Sequence, residues 1–188
     1  LLICSIAGYG FEVYHDKGKD RLFSILLLAM MVPQVATMVP LFKMFSKAKL
    51  LNTSIGFILP IISTPFMIMM FRQNARAFPV DIIEAARIDG ANQFQIYWKI
   101  FMPIMKPSLI LVGVLNMLTV WNDYLGPLIF LQDRSKYTLA LGLASFKGVH
   151  STQIIPMLCI TIIMIIPPII IFIIAQKYIV EGTSGSIK

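Results

Sequence analysis

The strongest constraint on this sequence comes from four long stretches that carry almost no charge. Each reaches or exceeds the roughly 20 residues that a helix needs to cross the ~30 Å hydrocarbon core of a bilayer. Three of them contain no Asp, Glu, Lys or Arg, and the third in chain order contains only Asp123. They therefore predict four complete transmembrane helices. The stretches are residues 22–42, 50–71, 107–132 and 151–176.

The composition excludes several other classes of protein. Of the 188 residues 57% are apolar and 13% are charged, whereas about a quarter of a soluble domain is charged. Disorder, a nucleic-acid module and a disulfide-stapled secreted domain do not fit these values. The net charge of +7 fits basic residues collected in cytoplasmic loops. Cys4 and Cys159 lie inside apolar stretches and are predicted to be packing residues.

The first segment, residues 1–11, is apolar but too short to cross a membrane. At ~1.5 Å per residue it covers about 16 Å, near half of the hydrocarbon core. Since the chain does not begin with Met, we expect a helix cut short at its N-terminus. The predicted fold class is therefore all-α, a polytopic transmembrane helix bundle with four complete spans and one N-terminally truncated span.

The distribution of Lys and Arg predicts the orientation. The polar segments 12–21, 72–106 and 177–188 hold 10 of the 16 basic residues, and the alternate segments 43–49 and 133–150 hold 6. Basic residues are enriched in cytoplasmic loops, so the first set is assigned to the cytoplasm. We therefore expect a multi-pass protein of the cell membrane.

Prolines are frequent within the uncharged stretches. Each removes a backbone donor and disturbs the preceding turn, so the helices are predicted to be kinked or locally unwound. The positions are Pro33, Pro40, Pro60, Pro65, Pro127, Pro156, Pro167 and Pro168.

The longest polar segment opens with a predicted short helix. Pro79 supplies the fixed φ of a first helical turn, and Asp81 places negative charge near the positive end of the helix dipole. Ala85 and Ala86 are strong helix formers, and Gly90 ends the helix because it readily adopts a left-handed conformation. With small side chains at its centre, such a helix can enter a cleft on a second protein.

Beyond Gly90, four aromatic residues recur at i, i+3, i+4 and i+7 and predict one stripe on a second helix. Pro103 and Pro107 are expected to end this helix. The stripe is typical of a helix at the membrane surface, and contact with a partner protein stays open beside that interpretation. The aromatic residues are Phe94, Tyr97, Trp98 and Phe101.

The spacing in this segment resembles the cytoplasmic signature of ABC importer permeases. That signature is Glu-Ala-Ala, three residues, Gly, nine residues and then Ile-x-Leu-Pro. Met102 stands where Leu is usual, which conserves volume. The matching positions are Glu84, Ala85, Ala86, Gly90, Ile100 and Pro103.

Three further stretches are similar to the sugar-importing branch of this family. They are the run from Arg87 to Ala91, the Trp121-Asn122-Asp123 element and the tail 181–188. Within the branch, they are most similar to the smaller permease subunit of maltose-type systems. The resemblance implies that residues 1–188 form an N-terminally incomplete permease domain with a cytoplasmic coupling loop at 72–107.

The resemblance also implies several partners. In such transporters a second permease subunit completes the path, two copies of an ABC ATPase subunit bind the signature loops, and an extracytoplasmic solute-binding protein delivers the solute. The chain contains no G-x-x-x-x-G-K-[ST] phosphate loop, so ATP hydrolysis is expected on a partner. We expect no cofactor, metal or catalytic residue in this chain, membrane lipid around it, and no nucleic acid.

Coupling to the ATPase subunit is assigned by the resemblance to the first predicted helix and the loop behind it. By analogy, this helix sits in a cleft of the ATPase subunit, where Glu84 makes a charged contact and Gly90 sets the helix angle. The residues expected to couple are Asp81, Glu84, Ala85, Ala86, Arg87, Asp89, Gly90, Ile100 and Pro103.

Asp123 is a separate candidate, because an intramembrane carboxylate is costly and is often functional. With Trp121, Asn122 and Tyr124 it offers a stacking surface and hydrogen-bonding groups for sugar hydroxyls. These four residues are candidates for the substrate path. The alternative is that Asp123 and Asn122 bind a partner helix or cap a kink near Gly126.

Two other classes of function are open on the residues alone. In an ion-coupled secondary transporter Asp123 would carry the proton or sodium ion, although such a carrier has no use for the signature loop. An intramembrane enzyme would need paired catalytic groups. The two histidines, His15 and His150, fall on opposite sides of the predicted topology.

Overall fold

The computed structural model describes residues 1–14, 16–146 and 154–184, without the side chains of 179–184. Within these ranges the chain is helical and has no β-strand, which confirms the all-α prediction. His15, His150 and the tail residues 185–188 lie outside the described residues. The α-helices are α1 (Leu2–Val13), α2 (Lys17–Ala29), α3 (Gln34–Lys47), α4 (Ser54–Ile58), α5 (Pro65–Ala75), α6 (Val80–Ile88), α7 (Gln93–Ile104), α8 (Lys106–Trp121), α9 (Leu125–Phe130), α10 (Leu139–Ser145) and α11 (Ile154–Ser184).

Among the described helices, α11 alone is long and apolar enough to cross a membrane, over Ile154–Tyr178. Three helix pairs meet the same criteria only when each pair counts as one span across a break of at most 4 residues. The pairs are α2 with α3, α4 and the 3-10 turn Leu59–Ile61 with α5, and α7 with α8. The first two predicted spans are therefore broken helices.

Prolines stand at two of these breaks, as predicted. Pro33 is the N-cap residue of α3, and Pro65 is the first residue of α5. At the second break the Thr64 hydroxyl accepts a hydrogen bond from the backbone N–H of Met67 at 3.4 Å. Such a cap satisfies one of the backbone donors that the start of a helix leaves without an intrahelical partner.

At three other prolines the helix continues. Pro40 lies within α3, and Pro167 and Pro168 lie within α11. The predicted local unwinding does not occur at these positions. Unwinding would leave additional backbone groups without partners, which is expensive in lipid, so an intact helix with one missing donor is the less costly arrangement.

The chain divides into two compact units. The first comprises Leu1–Met31, Ser63–Gly113 and Ala175–Lys188, and the second comprises Val32–Ile62 and Val114–Ile174. The signature segment belongs to the first unit, and the Trp121-Asn122-Asp123 element belongs to the second.

In the first unit α1 packs directly against α5. A Cβ atom built on Gly8 would lie 2.6 Å from the Cβ atom of Phe71, so there is no room for a side chain at this position. Cys4, Met67 and Ile68 are buried around the contact. Gly8 therefore sets the separation of the two helices.

Ion pairs fix the polar end of the same helix pair. The Glu12 carboxylate lies 3.1 Å from Arg72 Nε and 3.4 Å from Arg76 Nε. Arg72 also lies 3.6 Å from the Asp20 carboxylate, and its guanidinium lies 4.0 Å from the ring centroid of Phe23. The side chains of Arg72 and Glu12 are only 11% and 19% exposed, so solvent and salt screen their attraction less than at a surface pair.

In the second unit, two loops are joined through Asn52. Its backbone N–H donates to the carbonyl of Phe130 at 2.8 Å, and its own carbonyl accepts from Lys136 Nζ at 2.6 Å. Its side-chain oxygen accepts from the backbone N–H of Asp133 at 3.2 Å. Hydrogen bonding from Ser135 N–H, at 3.0 Å, lowers the pKa of the Asp133 carboxyl.

Replacing Gly8 by alanine should destabilise the chain by about 1–3 kcal/mol, because the methyl group overlaps Phe71 and the α5 backbone. Gly10→Ala is the matched control on the same helix, since a Cβ atom there meets nothing within 4 Å. That control should be neutral or stabilising by up to about 1 kcal/mol, because alanine favours helix more than glycine. Thermal unfolding in detergent measures both, and equal unfolding temperatures would contradict the close packing.

Candidate functional site

Helix α6 ends as the local sequence predicts. At its start, Pro79 is the N-cap residue with an extended ψ of 115°, so it stands just before the first helical turn in which the sequence predicts it. At its end, Gly90 has φ +80°, a value that other residues rarely adopt. The backbone N–H of Gly90 donates to the carbonyl of Arg87 at 3.1 Å, and that of Ala91 donates to the carbonyl of Ala86 at 3.0 Å. These two bonds form a Schellman motif, in which residues beyond the helix satisfy its last carbonyls. The prediction that Gly90 ends the helix is confirmed.

Helix α6 has one buried and one exposed face. Ile83 is 2% exposed and Ala86 is 7% exposed, and full burial of a side chain like that of Ile83 stabilises by about 1.5–3 kcal/mol. Ile88 is 86% exposed, on the opposite side of the helix. The buried face packs α6 against the rest of the first unit, and the other face is accessible to a partner. Ile88 is not in the predicted coupling set. The exposed members of that set on this segment are Asp81, Glu84, Ala85, Arg87, Asp89 and Gly90.

The core beneath α6 is built from α1, the end of α5, the connection after it and α7. Ile83 and Ala86 belong to this core, which we call the loop core. Its other buried members are Tyr9, Ala75, Phe78, Ile96, Tyr97, Phe101 and Met105.

Helix α7 begins with a capping box. The backbone N–H of Gln95 donates to the Asn92 side chain, and the Gln95 side chain accepts from the backbone N–H of Asn92, both at 2.9 Å. From Ile96 to Phe101 the helix is π-helical, with wider turns than an α-helix. The segment therefore departs from the regular α-helical period that the sequence analysis assumes.

The predicted single aromatic stripe is wrong. Tyr97 and Phe101 are 6% and 4% exposed and belong to the loop core, whereas Phe94 and Trp98 are 75% and 41% exposed. The π-helical turns place the four rings on two faces, because residues three apart are no longer neighbours there. Only Phe94 and Trp98 remain available for a membrane surface or a partner.

The last two residues of the signature lie at the end of α7. Ile100 is partly buried and packs against the loop core, and Pro103 is exposed. The helix ends at Ile104, between Pro103 and Pro107, as the sequence predicts. Pro103 lies in the first turn of the α-helical segment Met102–Ile104, where the fixed φ of proline is compatible with a helix.

Two residues of α1, Ser5 and Tyr9, join the loop core and were missed by the sequence analysis. The Tyr9 ring centroid lies 5.3 Å from that of Tyr97 and 4.6 Å from that of Phe101. The Ser5 hydroxyl, in a residue only 1% exposed, is hydrogen-bonded to the Tyr97 hydroxyl at 2.7 Å. Among the described residues the buried Tyr9 hydroxyl has no hydrogen-bond partner. The sequence signal that could have identified them is their spacing of four residues, which places Ser5 and Tyr9 on one face of a helix.

The four candidate path residues lie at the junction of α8 and α9, where each has a different role. The Trp121 Nε1–H donates to the carbonyl of Met164 at 3.1 Å, and the Asn122 amide donates to the carbonyl of Leu118 at 2.8 Å. Tyr124 is 39% exposed.

Asp123 precedes Tyr124, the N-cap residue of the short helix α9, and its side chain caps the first turn of that helix. Its carboxylate accepts a hydrogen bond from the backbone N–H of Gly126 at 3.1 Å, and a Cβ atom built on Gly126 would overlap the same carboxylate. This geometry favours the capping interpretation over a carboxylate held ready for an ion or a sugar.

A cavity of about 340 Å³ lies in the second unit. Its lining is apolar except for Gln132, which does not suit a ligand rich in hydroxyl groups. None of the four candidate path residues lines it. Across the described ranges, no group of three or more His, Cys, Asp or Glu side chains could hold a metal ion. The lining residues are Met38, Val39, Phe42, Leu128, Ile129 and Gln132.

Comparison with known proteins gives consistent matches along the chain. Residues 2–185 match the family described as binding-protein-dependent transport system inner membrane component. The chain is 38% identical over 188 residues to the lactose transport system permease protein LacG of Rhizobium radiobacter, covering 100% of this chain and 69% of that protein. It is 38% identical over 189 residues to the arabinooligosaccharides transport system permease protein AraQ of Bacillus subtilis (strain 168), covering 100% and 67%.

A solved structure has the same fold. It is the crystal structure of a bacterial ABC transporter involved in the import of the acidic polysaccharide alginate. The two chains align with a TM-score of 0.82 and 25% sequence identity, covering 95% of this chain and 68% of the other.

Replacing Gly90 by alanine should destabilise α6 by about 1–2 kcal/mol, since a residue with a Cβ atom pays that much in a left-handed conformation. No neighbour lies within 4 Å of the new methyl group, so the cost is one of backbone conformation alone. Gly142→Ala, which also meets nothing within 4 Å, is the control and should be neutral or stabilising. Chemical unfolding of both variants measures the difference; equal midpoints would be inconsistent with the positive φ.

Replacing Asp123 by alanine should cost about 1 kcal/mol of stability, because α9 loses its cap. Asp123→Asn keeps an oxygen that accepts from Gly126 and should retain most of that stability. Thermal unfolding of the two variants measures the cap. If Asp123→Asn is as unstable as Asp123→Ala, the negative charge and not the hydrogen bond is what the fold requires.

Proposed function

Because the chain belongs to the family of binding-protein-dependent transport system inner membrane components, we propose that it is the membrane-spanning permease subunit of an ATP-driven ABC importer for a carbohydrate. The names of the relatives support this solute class, since they are permeases of lactose and arabinooligosaccharide transport systems. The structural neighbour belongs to an importer of a polysaccharide, which agrees with it.

The observation that carries the proposal is the division of α6 into two faces. Ile83 and Ala86 bury one face in the loop core, and the opposite face projects Glu84, Ala85 and Ile88 outward. A helix attached in this way is suited to enter a cleft on an ATPase subunit, with Ala85 allowing close approach. The Glu84 carboxylate offers a charge-assisted contact, and the Schellman turn at Gly90 fixes the angle at which α7 follows.

The remaining predicted coupling residues support this contact in different ways. Asp81, Arg87 and Asp89 add charged groups to the accessible surface of the segment. Ala86 and Ile100 face the loop core and hold the segment in place from within. Movement of the segment can drive transport only if the ATPase subunit binds it differently in its open and closed states.

The complete transporter then consists of this chain, a second permease subunit, two copies of the ATPase subunit and an extracytoplasmic solute-binding protein, within membrane lipid. ATP hydrolysis takes place on the ATPase subunits. This chain contributes crossings by α2–α3, α4–α5, α8–α9 and α11, together with the short apolar helix α1, and the coupling loop 72–107 lies in the cytoplasm.

The substrate path is proposed to pass the junction of α8 and α9. Trp121, Asn122 and Tyr124 offer a ring surface, an amide and a hydroxyl, the groups that recognise a sugar. Asp123 supports the path by capping α9, which holds the neighbouring side chains in position. An ion-coupled carrier would need the Asp123 carboxylate to bind its coupling ion. Because this carboxylate is hydrogen-bonded to the backbone of α9, no observation supports that alternative.

Replacing Ala85 by tryptophan should weaken binding of the cognate ATPase subunit at least tenfold, equivalent to about 1.4 kcal/mol, because the bulky ring obstructs entry of α6 into the cleft. Ala48→Trp is the matched control, at an exposed position between α3 and α4 and outside the coupling loop. Co-purification and titration of the ATPase subunit in detergent measure the affinity.

Solute-stimulated ATP hydrolysis by the assembled complex should fall in parallel for Ala85→Trp and stay unchanged for Ala48→Trp. Equal affinity for the two variants would place the contact elsewhere on the chain. Uptake driven by an ion gradient in the absence of any ATPase subunit would reject the proposed function.

A further inference from the structure

The coupling loop is attached to α1 at two points on Tyr97. The hydroxyl of Tyr97 is hydrogen-bonded to Ser5, and its ring meets the ring of Tyr9 edge-on, with centroids 5.3 Å apart. Ser5 and Tyr9 are one helical turn apart on α1, so the two contacts lie at different heights along that helix. Two contacts at different heights fix both the position and the tilt of α7 against α1.

Burial makes this attachment stiff. Ser5 is 1% exposed, Tyr97 is 6% exposed and Tyr9 is 5% exposed, so no water competes for the Ser5–Tyr97 bond. Replacing Ser5 by alanine would remove the hydrogen-bond partner of the buried Tyr97 hydroxyl, which costs more than the net value of the bond. Without the Tyr97 hydroxyl, the Ser5 hydroxyl keeps its bond to the carbonyl of Leu2, 2.9 Å away. Tyr9 contributes ring packing, and its hydroxyl has no hydrogen-bond partner in the described part of the chain.

The same helix also holds the beginning of the loop. Helix α5 leads into the loop, and α1 contacts it at Gly8 and through the ion pairs of Glu12 with Arg72 and Arg76. Helix α1 thus contacts both α5, which precedes α6, and α7, which follows it. A displacement of α6 that kept these contacts would carry α1 with it.

We propose that Ser5 and Tyr97 are positioning residues that transmit the movement of the coupling loop to α1, so that ATP hydrolysis and solute transport stay in step. This inference rests on the proposed function, since it requires an ATPase subunit that moves α6. Without the bond, the coupling loop can shift relative to α1. Part of the loop displacement that accompanies each ATP hydrolysis is then not transmitted to the membrane helices.

The experiment uses the assembled transporter in proteoliposomes and measures solute molecules imported per ATP hydrolysed. Ser5→Ala and Tyr97→Phe should each lower this ratio about fivefold or more, the lower end of ordinary coupling between sites. The double variant should lower it no further than either single variant, because both remove the same bond. Ser5→Thr keeps a hydroxyl and should restore most of the ratio.

Ser24→Ala is the matched control, since among the described residues the Ser24 hydroxyl bonds only to the carbonyl of Asp20, within its own helix. It should leave the ratio unchanged. Tyr97→Phe retains the ring packing, so it provides the test if Ser5→Ala does not assemble. A proportional fall of transport and hydrolysis would show a structural role only and would overturn the proposal, as would an unchanged ratio in Tyr97→Phe.

The two proposals fail in different ways. If Ala85→Trp abolishes ATPase binding while Tyr97→Phe transports normally, the proposed function stands and the transmission through Ser5 is wrong. If the wild-type chain binds no ATPase subunit, the proposed function is wrong and this inference fails with it.

Discussion

One face of α1 organises the first unit. Ser5, Gly8, Tyr9 and Glu12 recur at i, i+3, i+4 and i+7, the spacing that places side chains on a single side of a helix. Gly8 and Glu12 contact α5, and Ser5 and Tyr9 contact α7. The four residues differ in chemistry but act at one surface, by close backbone approach, ion pairing, hydrogen bonding and ring packing. The accessible face of α6 can project outward because this surface holds the loop from beneath.

The parts of the structure that depend on neighbours in sequence could be predicted from the sequence. The end of α6 is set by the left-handed conformation of Gly90 and by bonds that span at most five residues, so the motif alone indicates it. The Ser5–Tyr97 bond joins residues 92 positions apart, and no local pattern marks it. The π-helical stretch also escaped prediction, because helical periodicity assumes the regular α-helical turn.

Asp123 illustrates how a correct observation can support two interpretations. An acid in an apolar stretch is unusual, and the sequence indicates that it must have a partner. Whether that partner is a solute, an ion, another subunit or a backbone group is a question of geometry within about one helical turn. Here α8 ends at Trp121, and the Asp123 carboxylate accepts a hydrogen bond from the backbone N–H of Gly126 in the next helix, α9. The prolines follow the same logic, since Pro33 and Pro65 stand at helix starts and Pro40 stands within a helix.

The two faces of α6 can be altered independently of each other. Changes at Ile83 or Ala86 alter packing inside this chain, where a single methylene matters. Changes at Glu84, Ala85 or Ile88 leave that packing untouched, because these side chains lie outside it. Under the proposed function, recognition of the ATPase subunit can therefore diverge between paralogous importers while the packing beneath α6 is preserved. On the same proposal, a cell with several such importers can pair each with its own ATPase, or let them share one, by altering a few outward side chains.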